Sequence, residues 1–343
     1  QLYAEALSLD PRRKEALNGL REVLSEETCR EIAVRALLDA YRRTDEWGGV
    51  LDLVEHRLEL APDDHTRARI LGEAAHLAET RGEDPVGARE MLARALVLDP
   101  GDVTREHELT RLAAATNAWQ DLAAVLASAA ERAADAPARS AQLYFARGKV
   151  LADELRDAGE ASAAFAKAAG LEPQRLDFQE ATARHAARAG RWPVAAEAVV
   201  KALRGHESHD AGLLAEIATA AKDANAWRDL ADATQMAADA FGERLTPTSA
   251  RHLELTIADW YDHAGADEAA IAATQKASIR DPNDLEVLRN LAHRLRSRSP
   301  GERIDTLLRI DAIAISDLDA LREAAAMAFA GDDDEVTRNT LYR

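Results

Sequence analysis

Four of the five tryptophans in this chain sit in one local frame, and the frame recurs at fixed spacing. The segments run Thr44 to Trp47, Thr116 to Trp119, Ala189 to Trp192 and Ala224 to Trp227, with steps of 72, 73 and 35 residues between the tryptophans. A step near 35, and near twice that, is the period of stacked helical hairpins. One such hairpin cannot bury both of its faces, so each must stack on the next. The period therefore points to an all-α fold, an α-solenoid that presents a long surface.

Composition agrees with that architecture. The 343 residues exceed one ordinary core, although length does not count domains in a repeat protein. Hydrophobic residues make up 47% but aromatics only 4%, and about a fifth of the chain is alanine, so helices must meet through small side chains. Net charge is −18, from 61 acids against 43 bases. Nucleic acids and anionic membranes both need a basic face, so neither is an expected partner. No stretch approaches the ~20 apolar residues that a membrane span requires. The single cysteine, Cys29, rules out an intrachain disulfide and suits a reducing compartment, so a cytoplasmic location is expected.

Proline marks the helix boundaries, because the residue before it avoids the α region. The signals are Asp10-Pro11, Ala61-Pro62, Asp99-Pro100, Glu172-Pro173 and Asp281-Pro282. Within hairpins the turns carry Asn117, Gly190, Asn225 and Gly265, which tolerate the left-handed conformation that a helix end often needs. The reading is a half-hairpin at 1–10 and an extra helix at 13–24. Hairpins follow at 28–62, 64–100, 102–136, 138–173, 175–207, 209–242, 247–282, 284–314 and 316–343. Residues 1–27 thus hold a partial repeat plus the extra helix, 28–282 an array of about seven hairpins, and 283–343 divergent helical hairpins. A chain that opens in mid-hairpin is expected to be a piece of something longer. Two hairpin types alternate up to residue 173. One has a short first helix and the Trp turn. The other has a longer first helix and a turn such as Glu83-Asp84-Pro85 or Arg156-Asp157-Ala158.

At these positions the chain resembles the tetratricopeptide repeat (TPR) family. The pattern is a small residue and an aromatic in the first helix, glycine near the turn, alanines in the second helix and a closing proline. It is carried by Ala258, Tyr261, Gly265, Ala270, Ala277 and Pro282; by Ala88, Leu92, Ala95 and Pro100; and by Ala161, Phe165, Ala168 and Pro173. Tyr41 keeps the pattern, while Asp45 stands where glycine is usual. The resemblance implies a right-handed superhelix whose groove is lined by first helices and binds a peptide or a partner helix.

Residues four apart on a helix lie one above another. On the first helices this selects Arg35 and Asp39, His107 and Arg111, Glu180 and Arg184, Thr219, and Leu255 and Asp259. They would line a mixed-charge groove for a basic or mixed-charge protein; the plainer reading is an ordinary solvated face. These positions lack the Lys and Asn pattern by which some family members clamp a C-terminal carboxylate. The tryptophans read as packing residues in the wedge between hairpins.

Other candidates are weaker. His206-Glu207-Ser208-His209-Asp210 lacks the helical four-residue offset of a two-His zinc motif. Asp332-Asp333-Asp334-Glu335 lacks the spaced oxygen ligands of a calcium loop. Cys29 has no neighbouring histidine, and the basic stretch from His293 to Arg303 reads as a solvated helix end. No phosphate loop, catalytic triad or Cys/His metal cluster is visible, so no cofactor and no small-molecule ligand are expected. The expected function is a non-catalytic protein-interaction scaffold, with a regulatory or oligomerising arm of a larger enzyme or signalling protein as the alternative.

Overall fold

The computed structural model describes residues 1–204, 211–314 and 318–330. The described residues are 82% helical, with no strand among them. It divides into two compact units, Gln1–Glu172 and Pro173–Arg343.

The first unit opens with α1 (Leu2–Leu9) and α2 (Lys14–Glu22), then α3 (Glu27–Thr44), α4 (Trp47–Asp52) and α5 (Val54–Leu60). Three helical pairs follow. They are α6 (Asp64–Thr80) with α7 (Pro85–Leu98), α8 (Val103–Thr116) with α9 (Trp119–Arg132), and α10 (Pro137–Asp153) with α11 (Ala158–Leu171). The additional helices at the start are not idle: α1 and α2 bury Leu7, Leu17 and Leu20 in one cluster with Leu37 and Tyr41 of α3.

The second unit holds α12 (Leu176–Arg188) with α13 (Trp192–Leu203), α14 (Ala211–Asp223) with α15 (Trp227–Phe241), and α16 (Pro247–His263) with α17 (Asp267–Arg280). Its last described helices are α18 (Leu285–Arg294), α19 (Pro300–Ile313) and α20 (Leu318–Ala330). One apolar cluster runs from Ala183 to Ala273 through α12–α17, as expected when each hairpin leans on the next.

Small residues set the spacing. Ala88, Ala95, Ala161, Ala168, Ala258, Ala270 and Ala277 are each fully buried. In α10, Gly148 lies under the Phe165 ring of α11, where a Cβ would stand 2.7 Å from a ring carbon. A larger residue there would push the two helices apart.

The Trp frames are turns. In every case the tryptophan is the first residue of a second helix: Trp47 of α4, Trp119 of α9, Trp192 of α13 and Trp227 of α15. Two residues earlier the backbone is left-handed, at Asp45, Asn117, Gly190 and Asn225 (φ 57°, 51°, 68° and 51°). The next N–H then bonds back across the helix end: Ala118 to the Ala113 carbonyl at 2.9 Å, Arg191 to Ala186 at 2.8 Å, Ala226 to Ala221 at 2.8 Å. This closure satisfies carbonyls the helix end would leave bare. Two of the tryptophans then reach the following hairpin. Trp47 lies against Gly82, and Trp227 stacks on His263 at 4.6 Å between ring centroids.

The second turn type is longer, with four residues between the helices against two or three in the Trp turns. Glu83 and Arg156 take the left-handed conformation (φ 52° and 56°), and Asp84 and Asp157 cap the next helix by accepting the N–H of Gly87 and Glu160, both at 2.9 Å. The hairpin at 28–62 departs from a simple pair. Its second arm is broken at Leu53 into α4 and α5. Gly48 and Gly49 weaken the start of α4, and Gly49 sits against the Tyr41 ring, so no side chain stiffens that turn.

One buried carboxylate breaks the apolar pattern of the second unit. Glu254 of α16 is 1% exposed, and neither of its oxygens has a hydrogen-bond partner. The nearest cation is Arg280 of α17, at 3.6 Å. Burial pushes the carboxyl pKa up, against the weaker pull of the nearby Lys276 and Arg280 charges. A raised folded pKa favours folding below the unfolded value of 4.5, and that contribution is lost as pH rises through the folded value. Glu254→Gln should therefore stabilise the protein at neutral pH, by about 1–2 kcal/mol. Urea unfolding at pH 7 and pH 4 checks this: the gain should shrink in acid, and a variant that loses stability at pH 7 would overturn the assignment.

Candidate interaction surfaces

The first helices are joined by ion pairs between neighbouring hairpins. In the first unit Arg42 of α3 and Arg57 of α5 both reach Glu73 of α6, the latter at 2.6 Å. Glu79 of α6 accepts from Arg111 of α8 at 2.7 Å. In the second unit Arg184 of α12 reaches Glu216 of α14 at 3.1 Å. Arg294 of α18 holds Asp259 and Asp262 of α16 at 2.5 and 2.9 Å. Apart from Arg57–Glu73, which joins α5 to α6 over 16 residues, acid and arginine stand 31 to 35 residues apart in these rungs, which is the hairpin period itself.

The residues selected from the sequence fall among these rungs and their exposed neighbours. Arg111, Arg184 and Asp259 are rung partners. Arg35 pairs within α3 with Glu31 at 2.6 Å, and Asp39 with Arg43 at 3.6 Å. Glu180 pairs with Arg184 at 3.2 Å. His107 and Thr219 are exposed, Thr219 donating its hydroxyl to the Ala215 carbonyl at 2.9 Å, and Leu255 is half-buried. The structure thus brings together Glu180 with Arg184, but ties Arg111 and Asp259 to residues that sequence reasoning had not singled out. Part of the basic stretch is spent likewise: Arg298 pairs with Asp267 at 2.7 Å, and Arg303 with Glu323.

Open spaces lie along the second helices. In the first unit a groove of about 610 Å³ runs between α5, α7 and α9, floored by Leu58, Ala93, Val97, Leu98 and Val125. A smaller space of about 310 Å³ shares Ala93, Arg94 and Val125 with it and extends to Leu109 and Leu122. The rim carries both signs. Arg94 holds Glu55 at 2.7 Å, Arg30 holds Glu59 at 2.7 Å, and Arg67 and Arg132 hold Asp64 at 2.9 and 2.6 Å. The Arg94 hydrogen bond holds the Glu55 carboxyl below the usual range despite partial burial. These residues look in the sequence like ordinary helix-face positions. Their signal is that Val97 and Val125 are apolar yet lie outside the buried stripe of their helices.

In the second unit a pocket of about 540 Å³ opens between α13 and α15, lined by Trp192, Ala233, Met236, Ala237 and Phe241 with Glu197, Asp229 and Asp232. Asp232 accepts the Tyr261 hydroxyl at 2.9 Å, and burial together with that carboxylate pushes the phenol pKa well up.

Among the described residues no group of three His, Cys, Asp or Glu is placed to hold a metal ion, and Cys29 is a partly exposed free thiol. The His206–Asp210 and Asp332–Glu335 candidates lie outside the described residues. No described helix is long and apolar enough to cross a membrane.

No protein-family model and no curated protein matches this sequence. Solved structures do match. A tetratricopeptide repeat protein from Parabacteroides merdae shares 14% identity over 80% of this chain and 98% of its own, with a TM-score of 0.32. The C-terminal part of a TPR repeat-containing protein from Cytophaga hutchinsonii shares 11% over 84% of this chain and 98% of its own, at 0.30. Matching structures are mostly TPR proteins. The chain folds as rows of TPR-like helical hairpins. The Naa15/Naa10 structure bound to HypK-THB matches 98% of this chain at 11% identity and a TM-score of 0.28, and this chain spans 66% of that one's length. Likeness at this level adds no argument to the hairpin architecture described above, which rests on the helices and turns of this chain.

Proposed function

We propose that this chain is a non-catalytic interaction scaffold that docks a partner protein or peptide of mixed charge along its hairpins. The observation that carries the reading is the apolar groove of α5, α7 and α9. Its walls belong to successive hairpins, so it exists only because the hairpins stack. Its floor leaves Val97, Leu98 and Val125 partly open to water, where a partner's apolar side chains would displace that water favourably. The paired rim charges would orient the partner more than they add affinity. The first-helix residues Arg35, Asp39, His107, Arg111, Glu180, Arg184, Thr219, Leu255 and Asp259 stay in the proposal as a second, mixed-charge face.

Affinity capture from native extract tests the reading, with the full chain beside two folded variants. One carries Ala93→Glu and Val97→Glu in the groove. The other carries Arg35→Glu, Arg111→Glu and Arg184→Glu on the first helices. A protein held by the parent and lost only from the groove variant is the expected result. Loss only from the first-helix variant moves the site to that face, and no captured protein at all refutes a scaffold.

A further inference from the structure

The pocket between α13 and α15 differs from the groove of the first unit in the sign of its rim. Its lining includes three carboxylates, Glu197, Asp229 and Asp232, and no basic side chain. Glu197 is paired with Lys201 at 2.5 Å, and Asp232 lies 3.7 Å from Arg228. Asp229 is exposed and makes no ion pair among the described residues. Lys201 and Arg204 sit over the Phe241 ring, at 5.5 and 5.8 Å from its centroid, and neither lines the pocket.

The floor is one stripe of α15. Asp229, Asp232, Ala233, Met236, Ala237 and Ala240 recur at three- and four-residue steps and so share a face. At 1.5 Å per residue the stripe is about 16 Å long, three turns of helix. Its alanines leave room for close approach. Met236, the one long apolar side chain on the stripe, is 73% exposed, a flexible thioether that adapts to different neighbours. Trp192 and Pro193 form the opposite wall. The apolar part of this stripe, Ala233 to Ala240, is about two turns long, with Asp229 and Asp232 at its head and Glu197 also in the lining. It complements one chemistry: a short amphipathic helix with apolar residues on one face and lysine or arginine beside them.

We propose that the α13–α15 pocket is a docking site for a basic amphipathic helix of a partner protein, its apolar face on Met236 and the alanines of α15 and its cation against Asp229. This rests on the scaffold reading but not on the groove of the first unit, and direct binding to the pocket separates the two.

The test uses the full chain and three labelled 15-residue helical peptides, read by fluorescence anisotropy at physiological salt. One peptide has leucines on one face and lysines flanking them. The second replaces the lysines with glutamates, and the third replaces the leucines with serines. The Leu/Lys peptide should bind about tenfold or more tightly than either control. Met236→Asp and Asp229→Lys, both at exposed positions, should each weaken it about tenfold, whereas Asp135→Lys, the same charge change in the first unit, should leave it within about twofold. Unchanged thermal unfolding shows that the variants fold. The proposal is overturned if no peptide binds, if the Leu/Glu peptide binds equally well, or if Asp135→Lys weakens binding as much as Asp229→Lys. A scaffold with no such pocket would still capture partners through the first unit, so the two failures are distinct.

Discussion

Replacing Ala168 with aspartate is expected to cost about 3–5 kcal/mol of unfolding free energy. Ala168 is fully buried in α11, on the same face as Ala161, Ala164 and Phe165, and α11 packs against α10. The helix spacing here is set by methyl groups and, at Gly148, by the absence of one. A carboxylate at 168 would have to displace Phe165 or α10 to reach water, or stay buried without a cation. Either route removes packing that the close contact depends on. Gly170→Asp is the control. Gly170 is exposed two residues further on, and nothing lies within 4 Å of the position its Cβ would take. That change should stay within about 0.5 kcal/mol. Urea unfolding followed by circular dichroism reads both. If Ala168→Asp unfolds at the same midpoint as the parent, the register of α11 is wrong.

The contrast between positions 168 and 170 also shows which parts of this fold the sequence states openly. Alanine and aromatic positions at hairpin period mark the buried stripe, because close packing admits few residue types there. The Trp turns are legible for a local reason: Asn117, Gly190 and Asn225 are residues that accept a left-handed backbone. Glu83 and Arg156 adopt the same conformation without any such signal, since the longer turn and the capping aspartate after it impose the geometry. The break at Leu53 likewise leaves only the Gly48-Gly49 pair as a trace.

The surfaces were harder to read. Spacing by four places Arg111 and Asp259 on a helix face, but it does not say which acid or base of the next hairpin will meet them. Several candidates stand about 32 residues away, and only the stacking angle chooses Glu79 and Arg294. The grooves along the second helices are less visible still. Val97, Val125 and Met236 look like ordinary helix-face residues in sequence, because a one-dimensional pattern shows that a residue is apolar and not whether another helix covers it.

The ion-pair rungs are not equivalent, and Glu73 is where their removal should matter most. Glu73→Ala is expected to lower stability by about 3 kcal/mol, against less than about 1 kcal/mol for Glu79→Ala. The difference lies in the arginines. Arg111, the partner of Glu79, is 55% exposed and regains water when its partner goes. Arg57, the partner of Glu73, is 7% exposed, and one of its guanidinium nitrogens already lacks a hydrogen bond. Without Glu73 it becomes a buried cation with no counter-charge. Glu73 itself is 30% exposed, which keeps the expected loss at the lower end for a buried pair. Burial raises the Glu73 carboxyl pKa, but Arg57 and Arg42 outweigh it, and the net shift is below the ordinary 4.5. A folded pKa held down contributes stability that is present above 4.5 and lost as pH falls through the folded value. The gap between parent and Glu73→Ala should therefore be widest at pH 7 and close at strongly acid pH, while Arg57→Leu combined with Glu73→Leu should recover part of the loss by removing both charges. Urea unfolding of the four proteins at pH 7 and pH 3 reads this directly. Equal losses for Glu73→Ala and Glu79→Ala at pH 7 would show that water reaches Arg57 and that the rung is an ordinary surface pair.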